Sequence, residues 1–349
     1  MKSNNYSKLD KVLHKIILGN TFVGEFLYDL ENFIFKKKYT NIRQEKHIFI
    51  SGYARSGTTL LLQLFAETKN YSTLTYSDMP FILAPNIWRS IFKKKTLSLT
   101  QRSHKDLVRI NNKSPEAFEE VFWKMICKNS YINDEFLNKN NFEKTNIMPK
   151  FENFINQVCL KKTKKIYLSK NNNNILRFND LLKYFNKAYL IIPFRNPINH
   201  ANSLLKQHLL HLSLQKKDNF IDEYMEYIGH HEFGKSHRKF NLTNNQKNQY
   251  DLTDIRYWLT EWFNYYDYIS KFNDFFNKRI IFINYDRIID EKYVYLNGIE
   301  KKLNIKFNRK REIHSSKKIN NIDISNLINL PIYKKCVMLE AELKKISLD

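Results

Sequence analysis

Apolar residues recur at helical spacing near the start of the chain: Leu9, Val12, Leu13, Ile16 and Ile17, then Val23, Phe26, Leu27, Leu30, Phe33 and Ile34. The pattern predicts two short helices over residues 8–36, broken near Gly19. A compact apolar run follows at 46–52 and ends in a glycine-bounded loop, which predicts a buried strand, then a helix from Thr58 to about Thr68. Tyr71 to Thr75 is a candidate second strand. Ser114-Pro115-Glu116 predicts a helix start, with a capping serine, proline at the first helical position and an acid in the first turn. That helix continues through Phe118, Val121, Phe122 and Met125. Residues 165–169 and 188–194 are apolar runs of buried-strand type. Asn196-Pro197 opens a helix to about His211, Arg256–Lys271 reads as an aromatic-rich helix, and Arg279–Tyr285 as a last strand. Residues 234–250 are polar and read as a loop, and the chain after 305 carries little pattern.

Strands alternating with helices predict an α/β protein: a P-loop-like three-layer fold with a central, mainly parallel sheet flanked by helices. Residues 1–45 form an N-terminal helical extension packed on the domain, and 46–349 a single domain. Lying on a membrane surface is the alternative for the extension. Packing is preferred because its polar faces carry acids as well as bases. Ligands of such sheets sit beyond the carboxyl ends of the strands. The loop at 53–58, Lys170 and Arg195 each follow a predicted strand end, so three cationic positions converge on one edge.

Composition narrows the class. The 349 residues are 42% hydrophobic and 15% aromatic, enough for a sizeable core. No window approaches the roughly 18 uncharged apolar residues of a membrane span, and the N-terminus lacks the apolar core of a signal peptide. Cys127, Cys159 and Cys336 are far apart, which predicts no disulfide framework, no metal spacing and a reducing, cytoplasmic setting. The net charge of +23 would suit a polyanionic partner, but the chain is also crowded with Lys, Asn and Ile. Runs such as Lys36–Lys38 and Lys93–Lys95 read as solvated surface, and a nucleic-acid partner is not expected.

The loop decides more. A strand, a glycine-bounded turn and a helix start aim backbone N–H groups at one point, where the helix dipole favours an anion. Gly52-x4-Gly57 has the spacing of a nucleotide-binding Walker loop, but Thr58 stands where the lysine should be. The cation lies inside the loop, at Arg55. Further on, Arg195 at a strand end and Ser203 two turns into the next helix could hold a second phosphate.

Together, Arg55-Ser56-Gly57-Thr58-Thr59 and the Arg195–Ser203 pair resemble the two nucleotide-binding elements of sulfotransferases that use 3′-phosphoadenosine 5′-phosphosulfate (PAPS). The pattern looks like a bacterial branch related to the carbohydrate and tyrosylprotein enzymes. The resemblance implies that Arg55, Ser56, Gly57, Thr58 and Thr59 hold the phosphosulfate, and Arg195 and Ser203 the 3′-phosphate. Lys170 looks like the lysine that some carbohydrate sulfotransferases place beside the transferring group, with Asn171 and Asn174 as hydrogen-bonding neighbours. The implied reaction is in-line transfer of a sulfuryl group from PAPS, as co-substrate, to a small-molecule, carbohydrate or lipid hydroxyl, a sugar or glycolipid among the candidates. No metal is implied.

The acceptor hydroxyl needs a base. Relatives carry a glutamate at the position of Thr75, and the nearest acid here is Asp78, so Asp78 is the candidate, with His208 and His231 behind it. The same Asp78 could instead cap a turn ahead of Pro80. Trp88, Phe122, Trp123, Trp258 and Trp262 read mainly as core, and Arg309, Lys310 and Arg311 as residues that could close over the 3′-phosphate. Two other readings are a P-loop kinase or NTPase, which Thr58 opposes, and a non-catalytic basic protein that binds polyanions.

Overall fold

The computed structural model describes residues 7–91, 100–101, 109–139, 142, 146–162, 164–243, 248–313 and 325–348. Its centre is a four-stranded parallel sheet in the order Leu168–Lys170, Ile48–Ile50, Tyr189–Phe194, Ile280–Asn284. Ser72 extends the edge by one bridge to Tyr167, its N–H donating to Ile166 O at 2.8 Å. The predicted strand at Tyr71–Thr75 is therefore a short edge contact.

Every residue of Ile48–Ile50, Leu168–Lys170 and Ile280–Asn284 is buried, as expected of a parallel sheet covered on both faces. Side chains separate by the two-residue period of a strand. Phe49, Leu190, Ile192 and Phe282 join one core, which takes in Phe151 and Trp262 from helices Ile147–Lys162 and Ile255–Ser270. Ile48, Ile50, Ile191 and Ile281 join the other, against Leu61, Phe65, Leu296 and Ile299 of helices Thr58–Glu67 and Tyr293–Leu303. This is the predicted three-layer α/β architecture.

His47 pins the start of the sheet. Its Nε2–H donates to Ile42 O at 2.9 Å and its Nδ1 accepts from Tyr167 N at 2.9 Å. Burial pushes its pKa down to about 4, so the neutral ring carries both bonds at ordinary pH.

Two predicted elements come out differently. The helix expected from Ser114 begins at Glu120. Glu116 N–H donates instead to Leu74 O at 3.1 Å, Pro115 bridges to Thr75, and the Glu116 carboxylate accepts from Tyr76 and from Ala117 N. Pairing with a distant segment outweighs a good local start signal. In the polar stretch, Lys239–Asn241 is a strand, paired in parallel with Phe136–Asn138. After 305, the helix Pro331–Ile346 packs on Ile255–Ser270 through Cys336, Leu339 and Leu343, which lie in the same core.

The N-terminal helices are Lys8–Leu18 and Thr21–Phe35, separated at Gly19 and Asn20. Ile17, Leu18 and Tyr28 enter the main core. Glu31, fully buried, reaches from the second helix to Pro85–Ile91. It accepts from Asn86 N, Asn86 Nδ2 and Ile87 N at 2.9, 2.6 and 2.9 Å, supplying an acceptor to a helix start that has none of its own. Glu31→Ala strands three donors and is expected to cost about 2–4 kcal/mol in urea denaturation, with wild-type helix content in the folded baseline.

Candidate active site

The loop leaves the first strand through Ser51, whose N–H donates to Ile191 O and whose Oγ donates to Asn172 O at 3.2 Å. Gly52 is required by closeness: a Cβ there would lie 2.5 Å from Ser56 Oγ and 2.9 Å from Pro193. Arg55 takes a left-handed backbone, φ 69°, and Ser56 N–H turns back to Tyr53 O at 3.1 Å. Gly57, at φ 102°, opens the helix Thr58–Glu67, and a Cβ on it would strike the Tyr285 ring at 2.1 Å. The first-turn N–H groups of such a helix have no partner four residues back along the helix.

Arg195 follows Phe194, the last residue of the third strand, and Ser203 lies in the helix Pro197–Lys217 that Asn196 caps. Both reach the loop. Arg195 Nη1 donates to Arg55 O at 3.2 Å, and Arg55 Nε donates to Ser203 Oγ at 3.3 Å. The Arg195 guanidinium stacks on Tyr285 at 4.9 Å from the ring centre, with Asp286 Oδ1 4.0 Å from its Nε. The loop and the Arg195–Ser203 segment are thus in direct contact, joined through Arg55.

His200, between them, is fully buried and its Nε2–H donates to Ala54 O at 2.6 Å. Burial first, then the charge of Arg195, lowers its pKa to about 3. It holds the loop backbone as a neutral ring. Sequence reasoning gave Tyr285 no role and did not place His200 against the loop. His200's place inside the Arg195–Ser203 segment was the available signal.

Lys170 is opposite Ile50 in the sheet register, one residue before the loop's Ser51, and is buried. The Asn-rich turn after it is held from behind. Asn171 Nδ2 donates to Glu120 Oε2 at 2.7 Å and Glu119 Oε1 at 3.2 Å, and Asn174 Nδ2 to Glu119 Oε1 at 2.9 Å. Their amides therefore position the turn. Arg177 binds Glu120 with both nitrogens, at 2.8 and 3.0 Å, and lies over Trp123. Burial works against the Glu120 charge, but the Arg177 guanidinium and bonds from Tyr131 and Asn171 outweigh it and keep the pKa below the usual range. No local spacing announced this network.

Asn172 Nδ2 donates to Glu232 Oε1 at 2.9 Å, and Asn173 Nδ2 to Gly229 O at 3.3 Å. The segment from Gly229 to Gly234 is thereby docked on the Lys170 edge, with Glu232 half-buried. Asp78 lies beyond Thr75, on the chain that runs parallel to the Lys170 strand from the Ser72 bridge. It is buried, and its Oδ2 accepts from Thr75 N at 2.8 Å and Thr75 Oγ1 at 3.1 Å, a reciprocal cap of the turn Tyr76–Asp78. His208 Nδ1 accepts from Gly234 N, and His231 is buried with Arg238 Nη1 at 2.8 Å from its Nδ1. Phe122, Trp123, Trp258 and Trp262 are fully buried core, and Trp88 stacks on Phe81. Arg309 is bonded to Asn297 and Glu300, and Arg311 to Glu67 and Gln63.

A model of the sulfotransferase family matches residues 47–309, a span that holds the loop, Lys170, Arg195 and Ser203. The chain belongs to the sulfotransferase family. It is a sulfotransferase enzyme, and sulfuryl transfer is its chemistry in general terms. Among solved structures, sulfotransferase STF1 of Mycobacterium tuberculosis superposes with a TM-score of 0.51 at 10% identity, over 87% of this chain and 79% of that one. At that identity the likeness is one of fold. Sulfotransferase STF9 of Mycobacterium avium gives 0.47 at 11% identity, over 96% and 78% of the two chains. The sulfotransferase domain from the curacin biosynthetic pathway gives 0.40 at 13%, over 86% and 97%. No curated protein sequence matches the chain.

Two measurements probe how the sulfotransferase site is supported. Arg177→Met leaves the Glu120 charge buried without its partner and is expected to cost about 3–5 kcal/mol in urea denaturation, much of it regained in Arg177→Met/Glu120→Leu. Glu261 stands behind the loop residue Tyr53, whose own pKa rises through burial first and then the Glu261 charge. Burial lifts Glu261 from 4.5 to about 7, against a 2.9 Å bond from Asn248 Nδ2. Its folded pKa is raised, so ionising it penalises the folded state. That penalty is absent below the unfolded pKa, grows as pH rises toward the folded value, and is constant above it. Glu261→Gln is expected to gain up to about 3 kcal/mol of stability near pH 8, relative to its effect near pH 4.

Proposed function

We propose that this sulfotransferase takes its sulfuryl group from PAPS and delivers it to a hydroxyl acceptor, with sugars and glycolipids the favoured class. The observation that carries the reading is the Arg195–Arg55–Ser203 chain of contacts over a tightly packed, glycine-bounded loop that opens a helix. PAPS would supply an activated sulfuryl group and a nucleotide bisphosphate as leaving group. The loop amides of Ser56–Thr59 and the Arg55 guanidinium would hold its 5′ end, and Arg195 and Ser203 its 3′-phosphate. Lys170 would offset the charge that gathers on the oxygen leaving sulfur.

Two carboxylates are candidates to take the hydroxyl proton. Asp78 keeps the role assigned from its place after Thr75, although its Oδ2 also caps a turn. Glu232 is the second, favoured by its bond to Asn172, two residues beyond Lys170. Thr58 and the in-loop Arg55 weigh against a kinase or NTPase.

Calorimetric titration with adenosine 3′,5′-bisphosphate tests the donor reading, with ATP–magnesium and adenosine 5′-phosphate as controls. The bisphosphate is expected to bind best, and Arg195→Ala to weaken it by about 10- to 100-fold, the worth of charge-assisted bonds to one phosphate. A preference for ATP–magnesium overturns the reading in favour of a kinase. No nucleotide binding, with polyanion affinity falling uniformly with salt, favours the non-catalytic binder.

A further inference from the structure

The two N-terminal helices bury one side, and the exposed side carries large apolar residues. In Lys8–Leu18 the buried residues are His14, Ile17 and Leu18, while Leu9, Val12 and Ile16 are 77, 53 and 51% exposed. In Thr21–Phe35 the buried residues are Gly24, Tyr28 and Glu31, while Phe22, Phe26 and Phe33 are 77, 60 and 87% exposed. Their spacing puts each trio on a single stripe of its helix, opposite the packed stripe. A helix that merely packs on a domain turns polar residues to water. Consecutive helices that both turn out large apolar ones mark a docking surface.

Charge selects the occupant. Lys8, Lys15 and the run Lys36-Lys37-Lys38 are exposed around these stripes. Glu31 is buried in its cap on Pro85–Ile91, and Asp10 is exposed but bonded to Ser7. Of the other acids, Glu25 is half-buried and Asp29 is exposed between Phe26 and Phe33 on the same stripe, so the lysines outnumber the exposed acids. The whole chain carries +23. A second copy seated on this face would bring two lysine rims of like sign together, whereas anionic lipid headgroups complement them. Apolar side chains flanked by lysines are also the pattern of helices that lie in a bilayer surface.

We propose that the outer face of helices Lys8–Leu18 and Thr21–Phe35 docks on an anionic lipid bilayer. The phenylalanines enter the headgroup boundary and the lysines contact the lipid phosphates. The inference does not depend on the donor or the acceptor, and it would place the sulfotransferase where lipid-borne hydroxyls are concentrated.

The test is co-sedimentation of the full chain with phosphatidylcholine vesicles, with and without phosphatidylglycerol, at low and high salt. Binding is expected only to the anionic vesicles. It should be lost in Phe22→Ser/Phe26→Ser/Phe33→Ser and weakened at least about tenfold in Lys36→Gln/Lys37→Gln/Lys38→Gln. The replaced side chains are exposed, and near-ultraviolet circular dichroism and thermal unfolding check that the variants stay folded. Failure of the wild type to bind anionic vesicles overturns the proposal, as does binding unchanged by the triple serine variant. A dimer in sedimentation equilibrium that the same serine variant dissociates, without vesicle binding, assigns the face to a second copy instead. Bisphosphate titration is a separate readout, so failure of the donor reading and failure of this one are distinguishable.

Discussion

The ring of Tyr285 stands under both halves of the site. It lies where a Cβ on Gly57 would have to be, and the Arg195 guanidinium stacks on it. The ring follows directly on the last sheet strand, Ile280–Asn284, so it is placed by the parallel register rather than by a loop of its own. A larger residue at position 57 would push the loop off this support, and a shift of the last strand would withdraw the support from Arg195. The contact of Arg55 with Arg195 and Ser203 depends on that one packing arrangement.

Rigidity around the site comes from neutral or paired buried groups. His200 holds the Ala54 carbonyl as an uncharged ring, and His47 does the same for the sheet's entry. Behind Lys170, Glu119 and Glu120 take the amides of Asn171 and Asn174, and Arg177 balances the second of them. Such a network is costly to leave half-satisfied and firm when complete. It fixes the Asn-rich turn that follows Lys170 at the end of its strand. Glu261 is the exception, a buried carboxyl near the loop whose ionisation the fold tolerates at a cost.

Much of this architecture was legible in the sequence because it is written locally. The strand at Ile48–Ile50, the helices from Thr58 and Pro197, and the final strand each follow from apolar runs with glycine, asparagine or proline punctuation. The loop and the Arg195–Ser203 pair were recognisable because each joins particular residue types at a fixed spacing within one short segment. The helix start at Ser114 failed for the converse reason. Its local signals were sound, but Leu74 and Thr75 offered the backbone of 115–116 partners that no local pattern reveals.

The sequence by itself therefore determined the alternation of elements, the glycine-bounded loop and the family, since these rest on short-range chemistry. Only the tertiary structure decided that Arg55 meets Ser203, that Tyr285 supports both arginine elements, and that Glu119 and Glu120 anchor the turn after Lys170. It also decided which stripe of each N-terminal helix is buried, because both stripes are apolar and periodicity alone cannot choose between them. Those facts depend on the parallel crossover topology, which brings together side chains separated by dozens or hundreds of residues and leaves no trace in their local order.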